Sequence, residues 1–554
     1  MRKLNKFIRY PIYFIFGIFI LIGGFIAYVS IFAISTPPTP LNITVLEQQV
    51  TINDTNFYVL GNNWLRKSNS GLWEMYVEGE AFERGVINGK LSKNLIHEQE
   101  VAFSEQIFKL VPSPFYRNFL KYLIAFFNRN LDENITEEYK LEIYGVSKSA
   151  STEFNYIGTP YQRMMNYHAA HDIGHALQNL ALVGCSSFAT WDKKSENNRL
   201  IIGRNFDFYV GDKFAENKIV MFMKPEKGIP FMMVTWGGMT GVVSGMNMQG
   251  LTITLNAAKS EVPTGSATPI SILAREILQY AGTIDEAVTI AKKRKTFVSE
   301  SFLIGSAKDH KAVSIEITPN EVSIFDPQQN YIVCTNHYQS KELGNSESNK
   351  QQMNESASVY REERIKELLS ATTENNPEKT VAILRDQLGK QNKFIGYGNE
   401  KTINQLISHH SIVFEPERLL VWVSSNPWQL GAFMAYDLNK IFSMKGLENN
   451  HELYDSIYTI SPDTFLMSTD YKKFVEFRNL KEKMLTDEVA DPNKLIALNP
   501  EYYHAYVVAG DYSFRKKQYS DAQSYYEDAL TKEIATKTEE NYIREQLQKC
   551  RDKI

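Results

Sequence analysis

The sequence holds three cysteines, Cys185, Cys334 and Cys550, and one of them sits in a setting that can make it a nucleophile. Cys185 lies in Gly184-Cys185-Ser186-Ser187-Phe188, and Gly203-Arg204-Asn205-Phe206-Asp207 follows about twenty residues later. The first motif opens a strand and the second ends one. A hairpin between them brings Arg204 and Asp207 beside the thiol. A free thiol titrates near pH 8.5, so little thiolate exists at neutrality. A neighbouring guanidinium favours the thiolate by charge attraction, and a carboxylate holds an ammonium group in place. If the peptide bond before Cys185 is cut, that ammonium is the cysteine's own α-amino group. An α-amine titrates near 8 and can serve as general base for its own side chain. Thiol, amine, Arg204 and Asp207 then form a complete nucleophilic unit.

Further motifs follow in series: Gly79-Glu80-Ala81-Phe82-Glu83-Arg84-Gly85 ahead of the cysteine, then Gly245-Met246-Asn247-Met248-Gln249-Gly250-Leu251 with Leu255-Asn256, Cys334-Thr335-Asn336-His337, and Ser358-Val359-Tyr360-Arg361. Each alone is weak. Together and in this order, over about residues 45 to 438, they resemble the Cys-type N-terminal-nucleophile hydrolases of the C45 group, which includes acyl-coenzyme A:6-aminopenicillanic acid acyltransferase. The chain is similar, more distantly, to choloylglycine hydrolases and acid-ceramidase-like amidases. The resemblance implies an α+β fold, a four-layer αββα sandwich whose nucleophile opens a central strand, and no cofactor or metal. It implies that Cys185 attacks the carbonyl carbon while its α-amine shuttles the proton, that Arg204 supports the thiolate, and that Asp207 orients the amine. Asn256 is expected to donate to the oxyanion, Asn336 to bond the amine or the substrate amide, and Arg361 to complete the polar network, with Arg364 one turn on as its alternative. The reaction expected is attack on a linear carbon–nitrogen amide of an N-acylated small molecule or lipid-like substrate, through a cysteinyl thioester that water or an amine resolves.

Other candidates read as structure. Cys334 alternates with Asn336 and suits a buried small hydrophobe. His168, His171 and His175 share a helical face, but Asp172 stands where a zinc-binding His-Glu pair needs its glutamate, so packing or capping is expected. Trp236-Gly237-Gly238-Met239 lacks the ending of a phosphate loop and reads as a tight turn. Met221, Met223, Met232, Met233, Met239, Met246 and Met248 read as strand core, or as an adaptable bed for an acyl chain.

The elements that must position these residues follow from composition and pattern. A net charge of -4 over 554 residues offers no basic stripe for nucleic acid, and three cysteines do not make a disulfide scaffold. Arg2, Lys3, Lys6 and Arg9 precede an uncharged apolar run from Tyr10 to about Ser35. Its length suits a membrane-spanning helix, with the basic flank inside and the rest extracytoplasmic (periplasmic). The expected organisation is a basic tail and anchor over 1–35, a linker and pro-segment over 36–184, a catalytic domain over 185–440, and a helical module over 455–554. Thr36-Pro37-Pro38-Thr39-Pro40 reads as a semi-rigid spacer. Helices are expected over Phe119 to Phe127, Thr136 to Ser149, Gln162 to Leu182, Ile270–Ala281, Thr283–Lys292, Arg361–Leu369 and Pro377–Leu388, with short strands between Arg199 and Val423 and a polar surface loop over Asn345 to Glu355. Tyr506, Gly510, Phe514, Tyr519, Ala522, Tyr526 and Ala529 follow a tetratricopeptide (TPR) pattern, a packing module or a dock for a protein partner. Two rival readings are a papain-like cysteine protease using Cys185 with a distant histidine, and a non-catalytic anchored scaffold.

Overall fold

A computed structural model describes residues 6–33, 35–177, 184–259, 266–448 and 451–554. The strands run β1 (Thr51–Asp54), β2 (Phe57–Leu60), β3 (Asn63–Lys67), β4 (Trp73–Gly79), β5 (Ser186–Thr190), β6 (Ile201–Phe206), β7 (Ile219–Pro225), β8 (Phe231–Thr235), β9 (Ser244–Asn247), β10 (Leu251–Ala257), β11 (Glu300–Ser306), β12 (Lys311–Ile317), β13 (Val322–Phe325), β14 (Tyr331–Cys334), β15 (His410–Glu415), β16 (Leu420–Ser424) and β17 (Phe433–Asp437). The larger sheet has the order β1-β2-β3-β4-β7-β8-β9-β10-β11-β12-β13, and the smaller has β14-β5-β6-β15-β16-β17. Pairing is antiparallel except where β4 lies parallel to β7, Trp73 opposite Ile219 and Gly79 opposite Pro225.

The helices are α1 (Lys6–Phe32), α2 (Ala81–Leu91), α3 (Lys93–Leu110), α4 (Pro114–Phe127), α5 (Glu137–Ser147), α6 (Pro160–Leu177), α7 (Asp212–Glu216), α8 (Ile270–Tyr280), α9 (Ile284–Lys293), α10 (Glu347–Glu355), α11 (Ser358–Ala371), α12 (Pro377–Leu384), α13 (Leu438–Ser443), α14 (Thr469–Leu485), α15 (Pro492–Leu498), α16 (Tyr503–Arg515), α17 (Tyr519–Ala529) and α18 (Lys537–Arg551). Their starts follow local chemistry. Glu80 and Glu83 make a reciprocal capping box on α2, and Asn376 caps α12 with Pro377 in its first turn.

The two sheets stack, and alternation along each strand builds three apolar layers. On β7 and β8, Met221, Met223 and Met233 face helices α2, α5, α6 and α8, while Val220, Phe222, Met232 and Val234 face the second sheet. Strands buried on both faces read as continuous apolar runs, which is why the methionines cluster in sequence. The opposite face of the smaller sheet packs Phe188, Val413 and Trp422 against Ile365, Leu369, Val381 and Leu384 of α11 and α12. Helices, sheet, sheet, helices is the αββα order expected.

Two expectations change, and one gains no support. For the anchor expected over 1–35, no helix among the described residues is long and apolar enough to cross a membrane. The end of α1 packs on protein. Phe25 and Tyr28 meet Phe126 of α4 at 5.4 and 6.4 Å, Val29 and Ala33 are buried, and Gln162 Nε2 donates to Ala33 O at 2.7 Å. The polar stretch read as a loop carries helix α10, capped by Ser346, whose oxygen accepts from Asn349 N. Asn349 is buried because its side chain ties down the main chain of Tyr338 from both sides. Finally, 36–184 and 185–440 do not separate in the fold, since β1–β4 complete the larger sheet.

The Gly79–Gly85 motif has a packing role. Arg84 is buried and donates to Glu142 of α5 at 2.8 Å and to Gly79 O at 2.9 Å. A Cβ on Gly85 would strike the Glu142 backbone, so the glycine permits α2 to lie on α5. At the other end of the chain, Gly510 of α16 faces the Tyr526 ring of α17 in the same way. These C-terminal helices share a core with Leu406, Trp428 and Leu430 and so dock on the sandwich.

Candidate active site

Strands β5 and β6 pair with Ser187 opposite Arg204 and Ser186 opposite Asn205. The pairing extends one step further, because Gly184 N donates to Asp207 O at 3.1 Å. Cys185 is thus held opposite the end of β6. Alternation along β6 sends Asn205 outward to the carbonyls of Leu384 and Ile403, at 2.8 and 3.0 Å, and Arg204 inward between the sheets.

The Arg204 guanidinium is gripped from several sides. Its Nη1 donates to Val243 O at 2.8 Å and to Ser244 Oγ, and its Nη2 donates to Leu255 O. The same Nη2 lies 3.6 Å from Cys185 Sγ, and the Phe206 ring stacks under the group at 4.2 Å. Burial pushes the Cys185 thiol up from its ordinary range, against the pull of Arg204. Asp207 is fully buried. It accepts from Ser408 Oγ and, at 3.3 Å, from Gln405 Nε2, and burial raises its carboxyl to about 7.

Arg361 reaches this centre from the first turn of α11. Its Nη1 donates to Gly184 O at 2.8 Å, Cys185 O at 2.6 Å and Ser186 Oγ at 2.8 Å. Its Nη2 donates to Asn336 Oδ1 at 2.7 Å. Arg364 turns away to Asp386 and Glu367, at 2.8 and 3.1 Å. Asn336 donates through Nδ2 to Ala257 O at 2.8 Å, and its N–H goes to Ser358 Oγ at 2.7 Å. Asn256, read as the oxyanion donor, spends its amide elsewhere. Its Nδ2 donates to Cys334 O at 2.7 Å, and its Oδ1 accepts from Ser187 at 3.0 Å. In this uncleaved chain Asn256 ties the two sheets together behind the cysteine.

Sequence reading missed Gln405, Ser408, Ser244 and His410. His410 Nε2 lies 2.8 Å from Ser244 Oγ, which holds that hydroxyl against Arg204, and His409 Nδ1 lies 2.8 Å from His410 Nδ1. The available signal was the polar run Ser408 to Ser411 leading directly into the apolar part of β15. Polar side chains entering a core strand are there to meet buried partners.

The bland candidates behave as structure. Burial pushes the Cys334 thiol up to about 12. The imidazole of His337 lies 2.8 Å from Ser358 Oγ and 3.1 Å from Glu362. His168 contacts Met164 O at 2.7 Å and accepts from Thr240 N at 2.9 Å, with its pKa lowered to about 4 by burial. The side chains of His171 and His175 lie outside the described residues. Among the described residues no group of three or more His, Cys, Asp or Glu is arranged to hold a metal ion.

An uncharacterized protein of Archaeoglobus fulgidus is 24% identical over 253 residues, which is 43% of this chain and 42% of that relative, so less than half of its length is matched. Among solved structures, a Caenorhabditis elegans N-acylethanolamine-hydrolyzing acid amidase ortholog is 18% identical, covering 42% of this chain and 93% of its own, with a TM-score of 0.30. A penicillin V acylase from Agrobacterium tumefaciens is 17% identical, covering 46% and 87%, with a TM-score of 0.30. Residues 193–426 match the family described as acyl-coenzyme A:6-aminopenicillanic acid acyl-transferase. The match begins just after the Cys185 strand and takes in the Arg204–Asp207, Asn256, Asn336 and Arg361 motifs, so this stretch of the chain is similar to the acyl-transferase family that those motifs resemble.

Proposed function

We propose that the chain cuts itself between Gly184 and Cys185 and then works as an amidase or N-acyltransferase on linear amides of N-acylated small molecules. The observation that carries this reading is the convergence of Arg204, Asp207 and Arg361 on Cys185 and the bond preceding it. In the proposed mechanism Cys185 Sγ attacks the substrate carbonyl carbon, and the freed α-amine takes the thiol proton and passes it to the leaving amine. Arg204 supports the thiolate, and Asp207 holds the α-ammonium. Asn336, fixed by Arg361, is offered to the amine or the substrate amide once the chain has parted. The thioester is resolved by water or by an acceptor amine.

N-terminal sequencing of the purified protein tests the first step. We expect a large fragment beginning at Cys185, with pieces of roughly 21 and 42 kDa in proportion to the 63.6 kDa chain, and no scission in Cys185→Ala. An active chain that stays full length would overturn it. Hydrolysis of N-acyl amino acids of graded chain length tests the lipid-like part of the reading, which a rate indifferent to chain length would sink. His337→Ala is expected to stay active, which separates this mechanism from a papain-like one.

Membrane association through the 1–35 segment, with the catalytic part extracytoplasmic, belongs to the proposal. The basic flank and the exposed apolar side chains of Phe14, Phe19 and Leu21 on α1 support it. The C-terminal helices are proposed as the dock for a protein partner.

A further inference from the structure

The bond proposed to break has its carbonyl already held by two donors. Gly184 O accepts from Arg361 Nη1 at 2.8 Å and from Gln405 Nε2 at 3.0 Å. These are the distances at which donors stabilise a developing oxyanion. The donors come from different elements, α11 and the loop that precedes β15, so neither contact follows from local chain geometry. Each donor is fixed by a further partner. Gln405 is buried and also donates to Asp207 Oδ2, and Asn404, its neighbour, takes a backbone bond from Leu406 N at 3.0 Å on its own side chain. Arg361 is fixed by Asn336. The residue between them has to be small: a Cβ on Gly184 would stand 2.5 Å from Gln405 Nε2. The glycine before the cysteine is what lets the amide come this close. Asn256, whose motif suggested the oxyanion role, does not point its amide here.

We infer that Gln405 and Arg361 form the oxyanion site of the self-cleavage step. The inference rests on the proposed scission and adds to it a residue that no motif marks. In this step Cys185 Sγ bonds to the Gly184 carbonyl carbon, and the negative oxygen that forms is held by the two N–H donors. The bond from that carbon to the Cys185 nitrogen then breaks. The thiol proton ends on that nitrogen, which becomes the free α-amine, and a thioester joins Gly184 to Cys185 Sγ. Water hydrolyses the thioester and yields the Gly184 carboxylate and the free thiol.

The test is the rate at which the full-length chain, freshly made by cell-free translation, parts into its fragments on a denaturing gel. Gln405→Met keeps the length and removes the donor. Gln405→Glu keeps the shape and puts an acceptor where the donor was. Both are expected to slow scission by roughly 100-fold, the scale of a lost oxyanion donor. If Gln405 only packed the loop, Gln405→Glu would part like the wild type. Either variant parting within about threefold of the wild-type rate overturns the inference while leaving the scission itself standing. A wild-type chain that never parts instead overturns the proposed function. Gly184→Ala, which pushes Gln405 aside without altering it, is expected to be slowed as well, and wild-type speed in this variant also counts against the assignment. Thermal melting of each variant on a Cys185→Ala background, unchanged from Cys185→Ala alone, separates lost chemistry from lost folding.

Discussion

Burial holds the Asp207 carboxyl against ionisation in the uncleaved chain, in spite of Arg361 and Arg204 nearby. Its folded pKa of about 7 lies above the ordinary 3.8. The protonated form therefore stabilises the uncleaved fold fully below pH 4, and that contribution is lost as pH rises through 7. On a Cys185→Ala background, chemical denaturation from pH 4 to pH 8 is expected to show this loss. Asp207→Asn should remove up to about 4 kcal/mol of it. Glu74 is raised to about 7 by burial and loses stability in the same window, so the difference between the two chains is the quantity to measure. Arg204 and Asp207 were legible because a hairpin places residues nineteen and twenty-two positions away beside the cysteine. Gln405 and Ser408 were not. They arrive from a loop some two hundred residues on, and nothing in their spacing ties them to Cys185. Asn256 was found, but its amide bonds Cys334 O and Ser187 in the uncleaved chain, a direction that a family motif does not state.

Among the elements, α2, α5 and α8 meet around one buried carboxylate. Glu142 accepts from Arg84 at 2.8 Å and from Arg275 at 3.2 Å, and the two guanidinium groups hold its carboxyl below the usual range despite burial. Arg84 lies before the proposed cut and Arg275 after it, so this cluster clamps the two pieces. Removing one member of such a cluster leaves a buried charge without its partner, at a cost of about 3–5 kcal/mol. Glu142→Ala is expected to lose stability on that scale in urea denaturation and to shed the small fragment after scission. Helices α5, α8, α9 and α12 and strands β7, β8 and β10 were legible from periodicity, β8 as an apolar run and β10 as an alternation of apolar and polar residues. Strand β15 was hidden by its polar start, His410-Ser411, whose side chains are buried only because Ser244 and Asn205 wait for them. Helix α10 was hidden because a Ser- and Asn-rich segment reads as a loop until a buried asparagine pins it.

At the scale of the whole molecule, the proposed cut falls inside a folding unit. Strands β1–β4 precede it, yet β4 pairs along its full length with β7, which follows it. Seven residue pairs in register and the apolar layer beneath them leave the fragments no reason to part in native solution. Size-exclusion chromatography of the cleaved protein is expected to give one species near 63.6 kDa, and two peaks under native conditions would contradict the shared sheet.

That single parallel pair also changes what kind of thermodynamic object the protein is. Before scission, folding is unimolecular, and the midpoint of melting does not depend on how much protein is present. After scission, the same native contacts belong to a heterodimer. Unfolding then releases two chains whose reunion must pay for lost translational freedom, so the midpoint rises with concentration. Dilution is then expected to lower the melting midpoint of the cleaved form and to leave that of the precursor unchanged.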